Sequence, residues 1–177
     1  LEKNFQNLIL THILEKEHRG ILTGSPLTDV TINLTAGRNH LKHTEGGDFR
    51  QATYRAIRQG LEKARSVLLE PWYAFRIQVP LELAGRVISD IQQRQGNFEP
   101  PLTEGESSCI EGKAPVSTML EYPLELASFS KGKGSIQLRP AGYRPCHNEE
   151  EVIRQIAYDK DQDMENPSSS VFCSHGA

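Results

Sequence analysis

Cysteine is scarce. The three thiols, at positions 109, 146 and 173, are odd in number and far apart. That excludes a disulfide framework and fits reduced thiols in a cytosolic compartment. The tight ligand pairs of a zinc site are missing as well. "CH" at 146–147 and "CSH" at 173–175 come nearest, and no metal is expected. No apolar run approaches the roughly 20 residues that span a bilayer. The opening "LEKNFQNLILTHILEKEHRG" has neither a basic start nor a small-residue cleavage site, so a signal peptide is not expected. It reads instead as the interior of a longer protein. Catalytic signatures are lacking too. There is no phosphate loop closing on Gly-Lys-Ser/Thr, no Gly-x-Ser-x-Gly elbow and no His-Glu-x-x-His helix. No two carboxylates stand out as an acid/base pair. Catalysis by these residues, and a cofactor held by them, are not expected.

What is present is an ordinary globular composition, 37% hydrophobic and 24% charged over 177 residues, enough for one large domain or two small ones. Phe5, Leu8, Ile9 and Ile13 recur at helical spacing, predicting a helix over 3–18 that stops at Gly20. "DVTINLT" alternates and predicts a half-buried strand around Val30, Ile32 and Leu34. Asp48 reads as the N-cap of a second helix with an apolar stripe of Phe49, Ala52, Ala56, Ile57, Leu61 and Ala64. Beyond Ser66 the pattern changes. Tyr73, Phe75, Ile77 and Val79 alternate as a strand. Ala84, Val87, Ile88 and Ile91 mark a helix closed by Gly96. "FEPPLTEGESSCIEGKA" predicts two strands joined by a turn, the first weakened by Pro100 and Pro101. "PVSTMLEYPLELAS" is helical but interrupted at Pro123, and "SIQLRPAG" is a last strand. The order β-α-β-β-α-β is that of the ferredoxin-like split unit. "NEEEVIRQIAYD" makes a short C-terminal helix, and "KDQDMENPSSSVFCSHGA" reads as a disordered polar tail.

Charge is unevenly placed. From Gly37 to Arg65 there are seven basic and three acidic residues, 7 − 3 = +4, in a chain of net charge −3. From His147 to Ala177 there are two basic and seven acidic residues, 2 − 7 = −5. A basic stretch in an acidic chain points to a polyanion on one face. It is centred on the ten-residue loop 38–47 and the helix after it. Connections of about 2–6 residues are the norm, so a loop of that length asks for a function. Arg38, His40, Lys42 and His43 suit phosphates and base edges, and Gly46 lets the backbone approach closely. Leu41, Thr44 and Glu45 complete the loop. Arg50, Arg55 and Arg58 lie largely off the apolar stripe and extend the candidate RNA-binding surface; a solvated helix face paired with Glu62 is the plainer alternative.

"HTEGGDFR…LLEPWYAFRIQVP", "P…MLEY" and "SKGKGSIQL" resemble, in order and spacing, the C-terminal region of elongation factor G and of the tetracycline-resistance ribosomal protection proteins. The resemblance implies an α+β architecture: a partial fourth domain of split β-α-β type over 1–69, a ferredoxin-like βαββαβ fifth domain over 70–145, and a C-terminal helix with a polar tail over 146–177. Part of the fourth domain's sheet would precede Leu1. It implies a monomeric, cytoplasmic translational GTPase with no membrane partner, whose GTP and Mg2+ would bind in a domain outside this chain. Its partner would be the ribosome: small-subunit rRNA at the decoding centre and large-subunit rRNA at the factor-binding site. The tip loop would protect the ribosome from tetracycline. His40 falls where factor G carries a tip histidine. Leu41, Lys42, His43 and Thr44 fall where protection proteins carry a Ser-Pro-Val-Ser-like tip, so Lys42 replaces a proline. The second loop also lacks the tryptophan common in those proteins. An elongation factor G-like translocation factor without a resistance role is the alternative.

Overall fold

The computed structural model describes residues 1–39 and 46–170. The chain forms two compact units, one of Leu1–Val67 with Glu150–Ala177, the other of Leu68–Glu149.

In the first unit, α1 (Lys3–Leu14) packs on α2 (Gly46–Lys63). Phe5 stacks on Phe49 with ring centroids 4.7 Å apart. The first helix ends four residues earlier than its periodicity predicts. His18 Nε2 bonds the Ile13 carbonyl at 2.9 Å, the His18 carbonyl accepts from Leu27 N and Gly20 N donates to the Ser25 carbonyl, so the chain leaves the helix well before Gly20 and reverses between Gly20 and Ser25. The second helix starts at Gly46 rather than after Asp48. Asp48 sits inside the first turn, where the helix dipole favours its charge. The predicted strand at 30–34 is absent. Alternation specifies a face, but a strand also needs a neighbour for its N–H and C=O groups, and none of the described residues pairs with this segment. Val30 and Leu34 are exposed and line an apolar groove of ≈ 610 Å³ with Ile9, Ile13, Ala52 and Ala56.

The predicted disorder from Lys160 onward is corrected as far as Ser169; residues 171–177 lie outside the described residues. Tyr158, Lys160 and the backbone of Ser168 and Ser169 bond residues of α2. These bonds connect residues about a hundred positions apart, beyond the reach of a composition argument.

The second unit follows its predicted order. Strands β1 (Leu69–Pro80), β2 (Asn97–Phe98), β3 (Leu102–Glu104), β4 (Ser107–Pro115) and β5 (Ser135–Pro145) form an antiparallel sheet ordered β2-β4-β1-β5, with β3 also on β4. Pro100 and Pro101, which cannot donate to a ladder, separate β2 from β3. One face is covered by α3 (Ala84–Gln93), α4 (Val116–Met119) and α5 (Tyr122–Phe129). Phe75, Ile77, Val79, Val87, Ile91, Ile110, Met119, Tyr122 and Leu126 make the core. Pro123 opens α5 rather than closing a helix, a position where its missing N–H costs nothing. Gly96 does not supply the left-handed residue after α3. Gln95 does, at φ 60°, and Gly96 is small because a Cβ there would meet Ile91 Cγ2 at 2.7 Å. The last helix, α6 (Glu149–Ile156), belongs to the first unit from Glu150 onward. None of the described helices is long and apolar enough to cross a membrane.

Candidate nucleic-acid interface

The basic helix has two kinds of arginine. Facing the turn 18–26, Arg58 is only 3% exposed. One guanidinium nitrogen donates to the Arg19 and Gly20 carbonyls at 2.9 and 3.4 Å, the other to Tyr158 Oη at 2.5 Å. Tyr158 in turn donates to Asp163 at 2.6 Å. That bond and those from Asn166 and the nearby backbone hold the Asp163 carboxyl below its usual range, while burial first, and then Asp163, push the Tyr158 phenol up. Arg58 therefore serves as an internal clamp, and its assignment to RNA is corrected. Helical periodicity put it near the edge of the polar face, but a partner from the C-terminal stretch buries that edge.

Arg50 and Arg55 are intermediate cases. Arg50 donates to both oxygens of Glu15, at 2.8 and 3.4 Å, while its side chain stays half exposed. Tyr54 donates to the same carboxylate at 2.5 Å, and His12 Nδ1 lies 2.8 Å away. These donors, Tyr54 foremost, lower the Glu15 pKa to about 2. Arg55 reaches the Ser169 carbonyl at 2.5 Å and its hydroxyl at 3.2 Å. Both arginines can still present positive potential, but each must give up or share an internal bond to grip a phosphate.

Arg38 differs. It is exposed, precedes the long loop directly, and has no ion pair among the described residues. Gly46 opens α2, and a Cβ there would meet nothing within 4 Å. Lys63 and Arg65 are exposed at the far end of the helix. His40, Leu41, Lys42, His43, Thr44 and Glu45 lie outside the described residues.

The second unit carries cations that strand alternation alone leaves unranked. On the sheet face away from the helices, Ala74 of β1 is flanked in register by Lys113 of β4 and Arg139 of β5, both exposed. Arg76, next along that face, pairs with Glu111 at 3.1 Å. Arg144 lies over the Trp72 ring at 4.6 Å. Strand order, which decides that these residues are neighbours, was the missing signal.

Two family models match the chain in succession: elongation factor G, domain IV, over residues 1–65, and elongation factor G C-terminus over residues 67–153. The chain is similar to the "Tetracycline resistance protein TetP" of Clostridium perfringens, 29% identical over 160 residues, which is 90% of this chain and 24% of that protein. A crystal structure from Thermus thermophilus superposes with a TM-score of 0.77 at 26% identity, over 89% of this chain and 24% of that one. The chain thus spans about a quarter of the length of the relatives it matches.

Proposed function

Because the chain belongs to the elongation factor G family, through that family's domain IV and C-terminal regions, we propose that it is the ribosome-engaging C-terminal part of a translational GTPase. GTP and Mg2+ belong to a region outside these residues. The finer reading is a protein that shields the ribosome from tetracycline. The observation that carries it is the likeness to a tetracycline resistance protein over nine-tenths of the chain, together with the exposed cation Arg38 at the root of the long loop.

In this reading the loop 38–47 reaches small-subunit rRNA near the decoding centre. Arg38 and Lys42 supply charge, His40 and His43 supply donors for base edges, and Leu41, Thr44 and Glu45 shape the tip. The exposed face of the second unit, with Lys113 and Arg139, meets large-subunit rRNA. Phosphate contacts of this kind position a protein without reading sequence. The first unit's own carboxylates hold α2 in place: Glu15 receives Arg50, and Asp163 fixes the Tyr158 that receives Arg58.

Lys42, where the protection proteins carry a proline, favours the second reading, a translocation-type factor without a resistance role. A flexible lysine binds phosphate as a point charge and cannot act as a stiff wedge. The test uses the full-length protein. Arg38→Ala with Lys42→Ala should weaken ribosome cosedimentation, and deleting residues 41–46 should abolish tetracycline protection in a translation assay. Unchanged binding in the double variant overturns ribosome engagement through this loop. Lost translocation with intact protection in the deletion variant favours the second reading.

A further inference from the structure

We propose that Glu70, Cys146 and His147 form a binding site for Zn2+ that staples the end of β5 to the start of β1. The sequence offers only the "CH" pair, which lacks the usual second pair of ligands. Strand register supplies the missing partner. Leu69 pairs with Pro145 and Glu70 with Arg144, and Cys146 N bonds the Leu68 carbonyl at 2.9 Å. A carboxylate oxygen, a ring nitrogen and the sulfur then lie within 4.8 Å of one another.

Three features suit zinc. First, the donor set is one thiolate, one imidazole and one carboxylate. It matches a borderline-soft cation, whereas Mg2+ and Ca2+ prefer oxygen alone. Second, bonds of about 2.0–2.3 Å in a tetrahedron put ligand atoms roughly 3.3–3.8 Å apart. To reach that size the Glu70–His147 pair, now at 2.8 Å, must open, and any wider separation, at most 4.8 Å, must close. Third, the shell is built. Glu70 is 8% exposed and accepts from His147 N at 3.0 Å and from the imidazole Nδ1 side at 2.8 Å. The Cys146 thiol donates to Asn148 Oδ1 at 3.4 Å, a bond that the thiolate gives up, and Glu149 accepts from Leu68 N at 2.6 Å. On binding, Zn2+ takes the place of the proton between His147 Nδ1 and Glu70, the neutral ring carries its proton on Nε2, the thiol proton passes to solvent with loss of its bond to Asn148, and a water takes the fourth position. No electron moves.

The competing account is a purely structural hydrogen bond from His147 to Glu70. The two separate by titration of the 177-residue chain with Zn2+ against a chromophoric chelator, and with Co2+ as a spectroscopic probe. The expected result is one Zn2+ per chain, a sulfur-to-cobalt charge-transfer band, and a raised Tm on adding Zn2+. Cys146→Ser should abolish the band. Cys146→Ser, His147→Ala and Glu70→Gln should each weaken Zn2+ binding by about tenfold or more. Glu70→Gln keeps an acceptor for His147 N, and circular dichroism checks that each variant folds. Zn2+ should also slow alkylation of Cys146, followed by mass spectrometry, which tests the site in the unmutated chain. No band at saturating Co2+, a band lost only in Cys109→Ser or Cys173→Ser, or unprotected Cys146 overturns the site.

Discussion

Arg58 and Arg38 have the same side chain and opposite duties. Arg58 is buried among acceptors, so Arg58→Ala removes the donor to the Arg19 carbonyl and to the Tyr158 hydroxyl, which keeps only its bond to Asp163. Losing such charge-assisted bonds costs about 2–3 kcal/mol, read as a lower urea midpoint at unchanged m-value. Arg38→Ala should leave stability within about 0.5 kcal/mol of the parent. Glu15 gives a pH prediction. Its pKa is depressed from the ordinary 4.5 to about 2, so the folded state binds fewer protons than the unfolded one between those values. The stabilisation is full above about 4.5 and is lost as pH falls toward 2. Thermal melts from about pH 7 down to about pH 2 should show this loss, and Glu15→Gln should flatten that part of the curve. Neither assignment was legible locally: Arg50 and Tyr54, which hold Glu15, lie 35 and 39 residues away, and periodicity says only which side of a helix a residue occupies.

Elements were legible where one chain segment contains its own signal. The strand Leu69–Pro80 and the helix Ala84–Gln93 follow their periods because each buries one face against a core made by its neighbours. The segment 30–34 shows the converse, alternation without a partner. Where β2 pairs with β4, Gly112 is required by close approach. A Cβ there would lie 2.0 Å from the Asn97 carbonyl oxygen and 2.7 Å from Phe75 Cζ. Gly112→Ala must push β2 outward or displace Phe75, so it should destabilise the second unit by about 1–3 kcal/mol. Chemical denaturation followed by the fluorescence of Trp72 checks this.

Across the whole molecule, charge is segregated by sequence and partly recombined by folding. The basic stretch 37–65 and the acidic stretch after residue 149 fall in one unit, and Lys160 with Glu62, Arg55 with Ser169 and Arg58 with Tyr158 join them. The free cations are therefore fewer than the seven that the sequence holds between Gly37 and Arg65. On the proposed reading, ribosome affinity of the full-length protein should fall linearly with the logarithm of salt concentration. Arg38→Ala should reduce that slope by about 0.7–0.9, the share of a single phosphate, whereas Arg58→Ala should change stability more than slope. A slope unaffected by Arg38→Ala would remove this residue from the interface. The amino-acid sequence by itself determined the helices and strands with complete periods, their βαββαβ order, the family likeness and the location of net charge, because each is written in short-range spacing or in composition. Only the tertiary structure decided which arginines are spent internally, that the stretch from Tyr158 to Ser169 is held on α2, and that Glu70 stands beside Cys146 and His147. Those outcomes depend on pairings between residues tens to about a hundred positions apart, which are settled by packing and strand register and leave no local mark in the chain.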